Sequence, residues 1–170
     1  MSRYMVGIDL GTTTTSLAFI DTEATTPKVE TLSIRQVVDQ EQEQILDHLP
    51  SYAFCLSKAQ QKQGAYQPSF QSSTEQYSKT VVGNFARQQL ATQPDRVIHS
   101  AKSWLAHGSI DRENKILPWH SETLLGQEKF SPVEIAAAYL QHLIAVWDHE
   151  IAGEDSQKRE ATDDEIKQMT

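Results

Sequence analysis

The chain has 170 residues and a formal charge of −8, from 15 Lys and Arg against 23 Asp and Glu. That length suits one domain with a real core. The acidic balance, with no basic run longer than two residues, argues against a nucleic-acid partner, which requires a basic face.

Residues 4–10 and 16–21 read as two apolar strands joined by a tight turn. The first ends in Asp9, and Gly11-Thr12-Thr13-Thr14-Thr15-Ser16 follow. Gly11 lets the backbone come close to a ligand. Backbone N–H groups and threonine hydroxyls there can donate to phosphate oxygens. Asp9 is a hard oxygen group suited to Mg²⁺ or to its bound waters. The pattern predicts an Mg-nucleotide site on a β-hairpin. It is not the common phosphate loop, which needs Gly-Lys-Ser/Thr opening a helix, because no lysine precedes Lys28. Nor is it a dinucleotide fingerprint, since the Gly-x-Gly-x-x-Gly spacing is missing. The competing reading is an ordinary hairpin with a threonine-rich solvent face.

Val29 to Arg35 reads as a third strand. Residues 36–49 are Gln-rich and acidic, and fit a short helix or a long surface loop equally well. Ser51 to Leu56 reads as a strand. The lone cysteine, Cys55, cannot form an internal disulfide, and its apolar setting predicts a buried thiol. Residues 57–79, poor in apolar side chains, read as an exposed loop or hairpin tip. Val81-Val82-Gly83 closes a short strand.

From Asn84 the spacing becomes helical, through Phe85, Ala86, Leu90 and Ala91, until Pro94 interrupts it. Val97, Ile98, Ala101, Trp104 and Leu105 predict a second helix over about 95–107, with Gly108 just past its end. Lys115 to Trp119 is a brief extended piece. Ser131-Pro132-x-Glu134 is a capping box opening a long helix. Its predicted stripe is Ala136, Leu140, Leu143, Ile144, Trp147 and Ile151, with Gly153 as the stop. Such a helix is roughly 30 Å long. Its most apolar part, Ile135 to Trp147, is too short and polar to cross a bilayer.

His142 and His149, seven apart, and His99 and His107, eight apart, are spaced too widely to share a metal along one helix. Trp104, Trp119 and Trp147 are expected in the core or at a subdomain interface. The charged tail, 154–170, reads as flexible or as a truncated continuation, because Thr162-x-x-Glu165 starts a helix pattern with little chain after it. The N-terminus lacks the apolar core of a secretory leader. These features predict a soluble, cytoplasmic protein with no membrane partner.

Read together, the hairpin and the blocks after residue 80 resemble one family. Gly7-Ile8-Asp9-Leu10-Gly11-Thr12-Thr13 is similar to the first phosphate motif of the seventy-kilodalton heat-shock chaperones of the DnaK type. Leu49-Pro50-Ser51 resembles the strand that begins with proline and serine there. Val82-Gly83-Asn84-Phe85-Ala86-Arg87-Gln88, Pro94 and Ser100-Ala101-Lys102-Ser103-Trp104-Leu105 resemble the family's valine-glycine, helix, proline, helix passage. Phe130-Ser131-Pro132-Val133-Glu134 resembles the start of its long crossing helix. The hairpin is shared with actins and sugar kinases, whereas the later blocks point to the chaperones.

The resemblance implies an α/β fold, a ribonuclease-H-like, actin-like ATPase of which residues 1–153 form a partial first lobe. These comprise the first strands of the base and most of the small outer subdomain. The family's hinge strand, second phosphate motif, adenosine-binding region and peptide-binding domain have no counterpart here. The resemblance further implies ATP or ADP with Mg²⁺ as cofactors. Asp9 would hold the metal through water, and Gly11, Thr12, Thr13 and Thr14 would surround the phosphates. Thr14 stands where the family usually carries asparagine or tyrosine. Arg87 stands where it carries a catalytic lysine; arginine keeps the charge and adds a planar fork of donors. Unfolded polypeptides and co-chaperones are the partners expected through parts not present. The chain alone is expected to hydrolyse little or no ATP. The rival readings are a sugar kinase of the same superfamily and a nucleotide-sensing or partner-binding module without hydrolysis.

Overall fold

The computed structural model describes residues 3–40, 42–64, 66–70 and 79–153. The expectations for residues 71–78 and for the tail 154–170 lie outside these residues. In chain order the strands are β1 (Tyr4–Leu10), β2 (Thr14–Asp21), β3 (Glu30–Thr31), β4 (Ile34–Asp39), β5 (Gln42–Leu46), β6 (Leu49–Pro50) and β7 (Tyr52–Cys55). Helix α1 (Lys58–Gln63) follows, then β8 (Thr80–Val82), α2 (Asn84–Gln88), β9 (Val97–His99), α3 (Ala101–Leu105) and α4 (Pro132–Trp147). The result is a mixed α/β chain of small antiparallel sheets and a few helices.

β1 and β2 pair antiparallel, with Asp9 opposite Ser16 and Leu10 opposite Thr15. β2 also carries β3 and, at its start, β6, where Thr14 faces Pro50 and Thr15 faces Leu49. A separate sheet places β7 between β8 and β9. β4 and β5 form a two-stranded ribbon.

Four stretches differ from the sequence expectation. The single strand expected over Val29 to Arg35 is divided between β3 and β4, which belong to different sheets. Residues 36–49 are neither helix nor loop but the β4–β5 hairpin and β6. Val37 and Val38 are buried there, while β5 is mostly exposed, which is why no clean alternation marks it. Within 57–79, α1 stands where a loop was expected. Ser57 and Gln60 form a reciprocal capping box, and Gly64 ends the helix in the left-handed region at φ 66°. The helix expected over 95–107 is instead a 3-10 turn at Pro94–Arg96, then β9, then α3. Val97 and Ile98 are buried as strand residues against Phe54 and Ala53. Ser100, at φ 57°, turns the chain between strand and helix. Pairing with β7 thus overrides a helical spacing that is only a weak prior.

α4 begins as its sequence predicts. Ser131 Oγ accepts from Glu134 N at 3.1 Å, and Glu134 Oε2 accepts from Ser131 N at 2.7 Å. Its buried face, however, runs through Ile135, Tyr139, His142, Leu143 and Val146, while Ile144 is 54% exposed. The α-helix ends at Trp147 and passes into a π-helical turn, Asp148–Ala152, and Gly153 is not left-handed. α4 is tied to its surroundings at both of its own ends. Near its start Lys115 pairs with Glu134 at 3.3 Å. At its end the Trp147 ring meets Tyr4 and Phe19 edge-on, at 5.2 and 5.1 Å, and Glu150 accepts from Arg35 Nε at 2.9 Å just beyond. Trp104 and Trp147 pack partly against the core, as expected, but Trp119 is 51% exposed. Cys55 is buried, and loss of water pushes its thiol up to about 12.

β1 pairs with β2, and Met5, Val6 and Ile8 are exposed on its two faces. No helix among the described residues is long and apolar enough to cross a membrane.

His142 is buried on α4, its Nε2 2.9 Å from the Arg35 carbonyl oxygen. Burial disfavours the imidazolium and pulls its pKa down to about 4. The folded state therefore binds fewer protons than the unfolded chain between pH 6.5 and about 4. His142 leaves stability intact above 6.5 and erodes it as pH falls through that window, by at most about 1.4 kcal/mol per pH unit. Urea unfolding of wild type and His142→Gln at pH 7 and pH 4.5 checks this: the wild type is expected to lose more stability than the variant. Equal losses would contradict the assignment.

Candidate functional site: the hairpin turn and its junction

The turn between β1 and β2 is held from beneath by one residue. Ser51 N donates to the Thr13 carbonyl at 2.9 Å, and Ser51 Oγ donates to the Gly11 carbonyl at 2.9 Å. Ser51 Oγ also lies 3.0 Å from Thr15 Oγ1. Thr15 and Ser51 are buried, so these contacts are shielded from water. Gly11 is required by space: a Cβ there would collide with the Thr14 carbonyl oxygen.

This arrangement turns the carbonyls of Gly11 and Thr13 inward onto Ser51. Thr12 and Thr13 are exposed, and their amides and hydroxyls have no hydrogen-bond partner among the described residues. Paired carbonyls beside free amides make a surface that attracts oxyanions. Asp9, one residue before the strand end, is exposed, and its carboxylate likewise has no partner among the described residues. Thr14 is the first residue of β2 and half-buried, so it belongs to the ladder more than to the turn. The threonine row thus divides by role: Thr12 and Thr13 face solvent, and Thr15 locks the turn.

The next residue along, Tyr52, positions the second part of the site. Its carbonyl accepts from Gly83 N at 2.9 Å, immediately before α2. Gly83 has φ 91°, a conformation that glycine alone adopts at little cost. A Cβ at Gly83 would also meet Leu49 Cδ1 at 2.7 Å and collide with the Gln36 amide oxygen. Gln36 is fully buried. Its amide nitrogen donates to the His48 carbonyl at 2.8 Å, and its oxygen accepts from Asn84 N at 3.0 Å, where α2 begins. Arg87 N then donates back to the Gly83 carbonyl at 3.1 Å. Sequence reading missed Gln36; its only sign was a glutamine between the apolar residues Ile34 and Val37-Val38.

Arg87 is exposed, and its Nη2 donates to Asn84 Oδ1 at 2.9 Å on its own helix. Gly11, Thr12 and Thr13 lie on the turn, Asp9 lies on β1 just before it, and α2 is anchored to the residue after Ser51. The structure forms no bond between Arg87 and Asp9 or the threonines among the described residues. The turn is open surface. Cavities of about 420 and 490 Å³ lie elsewhere, one beside Trp104 and Trp119, the other beside α1. No family model, curated protein or solved structure matches the chain.

Ser51→Ala removes two buried hydrogen bonds at the turn and is expected to cost about 1–3 kcal/mol. Gly11→Ala is expected to destabilise as well, because backbone must move. Exposed Thr12→Ser should change stability little. Thermal unfolding checks the order, and a Ser51→Ala melting temperature equal to wild type would contradict the bonding described.

Proposed function

We propose that this chain is the N-terminal part of the ATPase domain of a DnaK-like molecular chaperone. It would supply a partial first lobe of the actin-like ATPase fold and one wall of its nucleotide cleft. The observation that carries the reading is the turn itself: carbonyls satisfied beneath by Ser51, and Thr12 and Thr13 donors without a partner among the described residues. The β1–β2–β3 sheet with β6 corresponds to the start of the base subdomain. The β7 sheet with α2 and α3 corresponds to the outer one, and α4 spans both.

The donor set fits the implied groups. Thr12 and Thr13 amides and hydroxyls would orient the phosphates, with Gly11 keeping the approach clear of side-chain atoms. Asp9 offers a hard carboxylate to the water shell of Mg²⁺, and that ion would offset phosphate charge. Arg87, on the helix anchored beside the turn, would release Asn84 and offer its guanidinium to the phosphoryl oxygens. Clients and co-chaperones would act through other parts of the protein, and a cytoplasmic location agrees with the composition.

A second reading, a nucleotide-sensing module without hydrolysis, draws on one observation. Arg87, which by the resemblance would stand in the lysine's place, is bonded within its own helix. The sugar-kinase reading has no such support.

Titration calorimetry with Mg-ATP, alongside a phosphate-release assay, tests the proposal. Binding is expected to be weak and to weaken further in Asp9→Asn or without Mg²⁺, with no steady turnover from one wall alone. Micromolar binding with steady turnover would overturn the one-wall reading. Binding indifferent to both Asp9 and Mg²⁺ would overturn the site.

A further inference from the structure

β7 is held at its start, next to Ser51, by the hairpin turn. Past its other end, beside Leu56 and Ser57, a cavity of about 490 Å³ opens. Three cationic residues line it, each from a different segment. Lys58 is the first residue of α1, Lys79 precedes β8, and Arg96 ends the 3-10 turn before β9. Glu128 is the one carboxylate in the lining. Among the described lining residues the cations thus outnumber the carboxylate by two, in a chain whose formal charge is −8.

The side chains are arranged unequally. Arg96 is half-buried, and its Nε donates to the Cys55 carbonyl at 2.8 Å. That bond fixes the guanidinium plane, while its two terminal nitrogens have no acceptor among the described residues. The Lys79 carbonyl accepts from Leu56 N at 2.9 Å, and its ammonium group has no partner among the described residues. Lys58 lies 3.8 Å from Glu128, but both side chains are largely exposed, so the pair is weak and easily exchanged. Ser57 Oγ accepts from Gln60 N, which leaves its hydroxyl proton available. A fixed guanidinium fork and two ammonium groups approach one space from three segments.

We propose that this cavity binds a small dianionic ligand through a phosphate group. A flat monoanionic carboxylate is satisfied by one fork. A tetrahedral dianion uses donors from several directions and balances both excess charges. The site is separate from the hairpin turn and does not depend on the nucleotide reading.

Inorganic phosphate is the probe. It is titrated into the ¹⁵N-labelled chain at fixed ionic strength, with chloride as the comparison. Saturable shifts are expected at the amides of Ser57, Lys79, Arg96 and Thr123, with none from chloride. Lys79→Gln, an exposed substitution, should weaken binding about tenfold, as expected for one charged hydrogen bond, and Lys58→Gln should weaken it less. Any shifts at Thr12 and Thr13 should be unaffected by either variant. Linear shifts shared with chloride, or saturable shifts unchanged in both variants, would overturn the proposal. Tight binding of an acidic peptide with none of phosphate would overturn it too.

Discussion

Two consecutive residues, Ser51 and Tyr52, hold the β1–β2 turn and the start of α2 in place. Ser51 bonds the turn between β1 and β2, and Tyr52 bonds the backbone that opens α2. They add to the pairing of β6 with β2, which already joins the first sheet to the chain entering β7. With them, the hairpin turn is fixed in orientation relative to α2. The bonds are buried, so their loss would leave unsatisfied groups out of reach of water. That makes the junction costly to break and hence a rigid mount for an exposed turn.

Gln36 and Gly83 complete the mount. Gln36 is a polar residue in the core because the His48 carbonyl and the Asn84 amide both need partners there. Gly83 is small because Gln36 and Leu49 fill the space its side chain would need. The short α2, only Asn84–Gln88, has little stability of its own. Its place depends on these contacts and on Phe85, which packs edge-on against Phe54 at 5.7 Å. The position of Arg87 is therefore a property of the β4–β6–β7 junction more than of helix propensity.

Much of this was legible in the sequence where local chemistry decides structure. The β1–β2 hairpin, the Ser131–Glu134 capping box and the buried Cys55 follow from patterns of a few residues. Gly11, Thr12 and Thr13 were read as a turn from the local strand–glycine–threonine pattern and lie between β1 and β2, with Asp9 on the strand beside them. What could not be read depends on partners distant in the chain. Val97 and Ile98 carry helical spacing, yet β7 recruits them as a strand. The β4–β5 hairpin has a mostly exposed second strand and so shows no alternation. Ile144 was expected inside α4's buried stripe and points to solvent, because the face meeting the core is centred on Tyr139 and Leu143. Ser51 was recognised as part of a resembling block, but its hydrogen bonds to the turn, 36 and more residues back in sequence, were not.

The central claim is that the turn is an oxyanion-binding surface prepared by Ser51. Amide proton shifts on adding Mg-ADP to the ¹⁵N-labelled chain test it most directly. The account predicts downfield shifts at Thr12 and Thr13, larger than those at the neighbouring strand residues Val6 and Phe19, and diminished in Ser51→Ala while that variant remains folded. Unmoved Thr12 and Thr13 amides at saturating Mg-ADP, or shifts of equal size in Ser51→Ala, would contradict it.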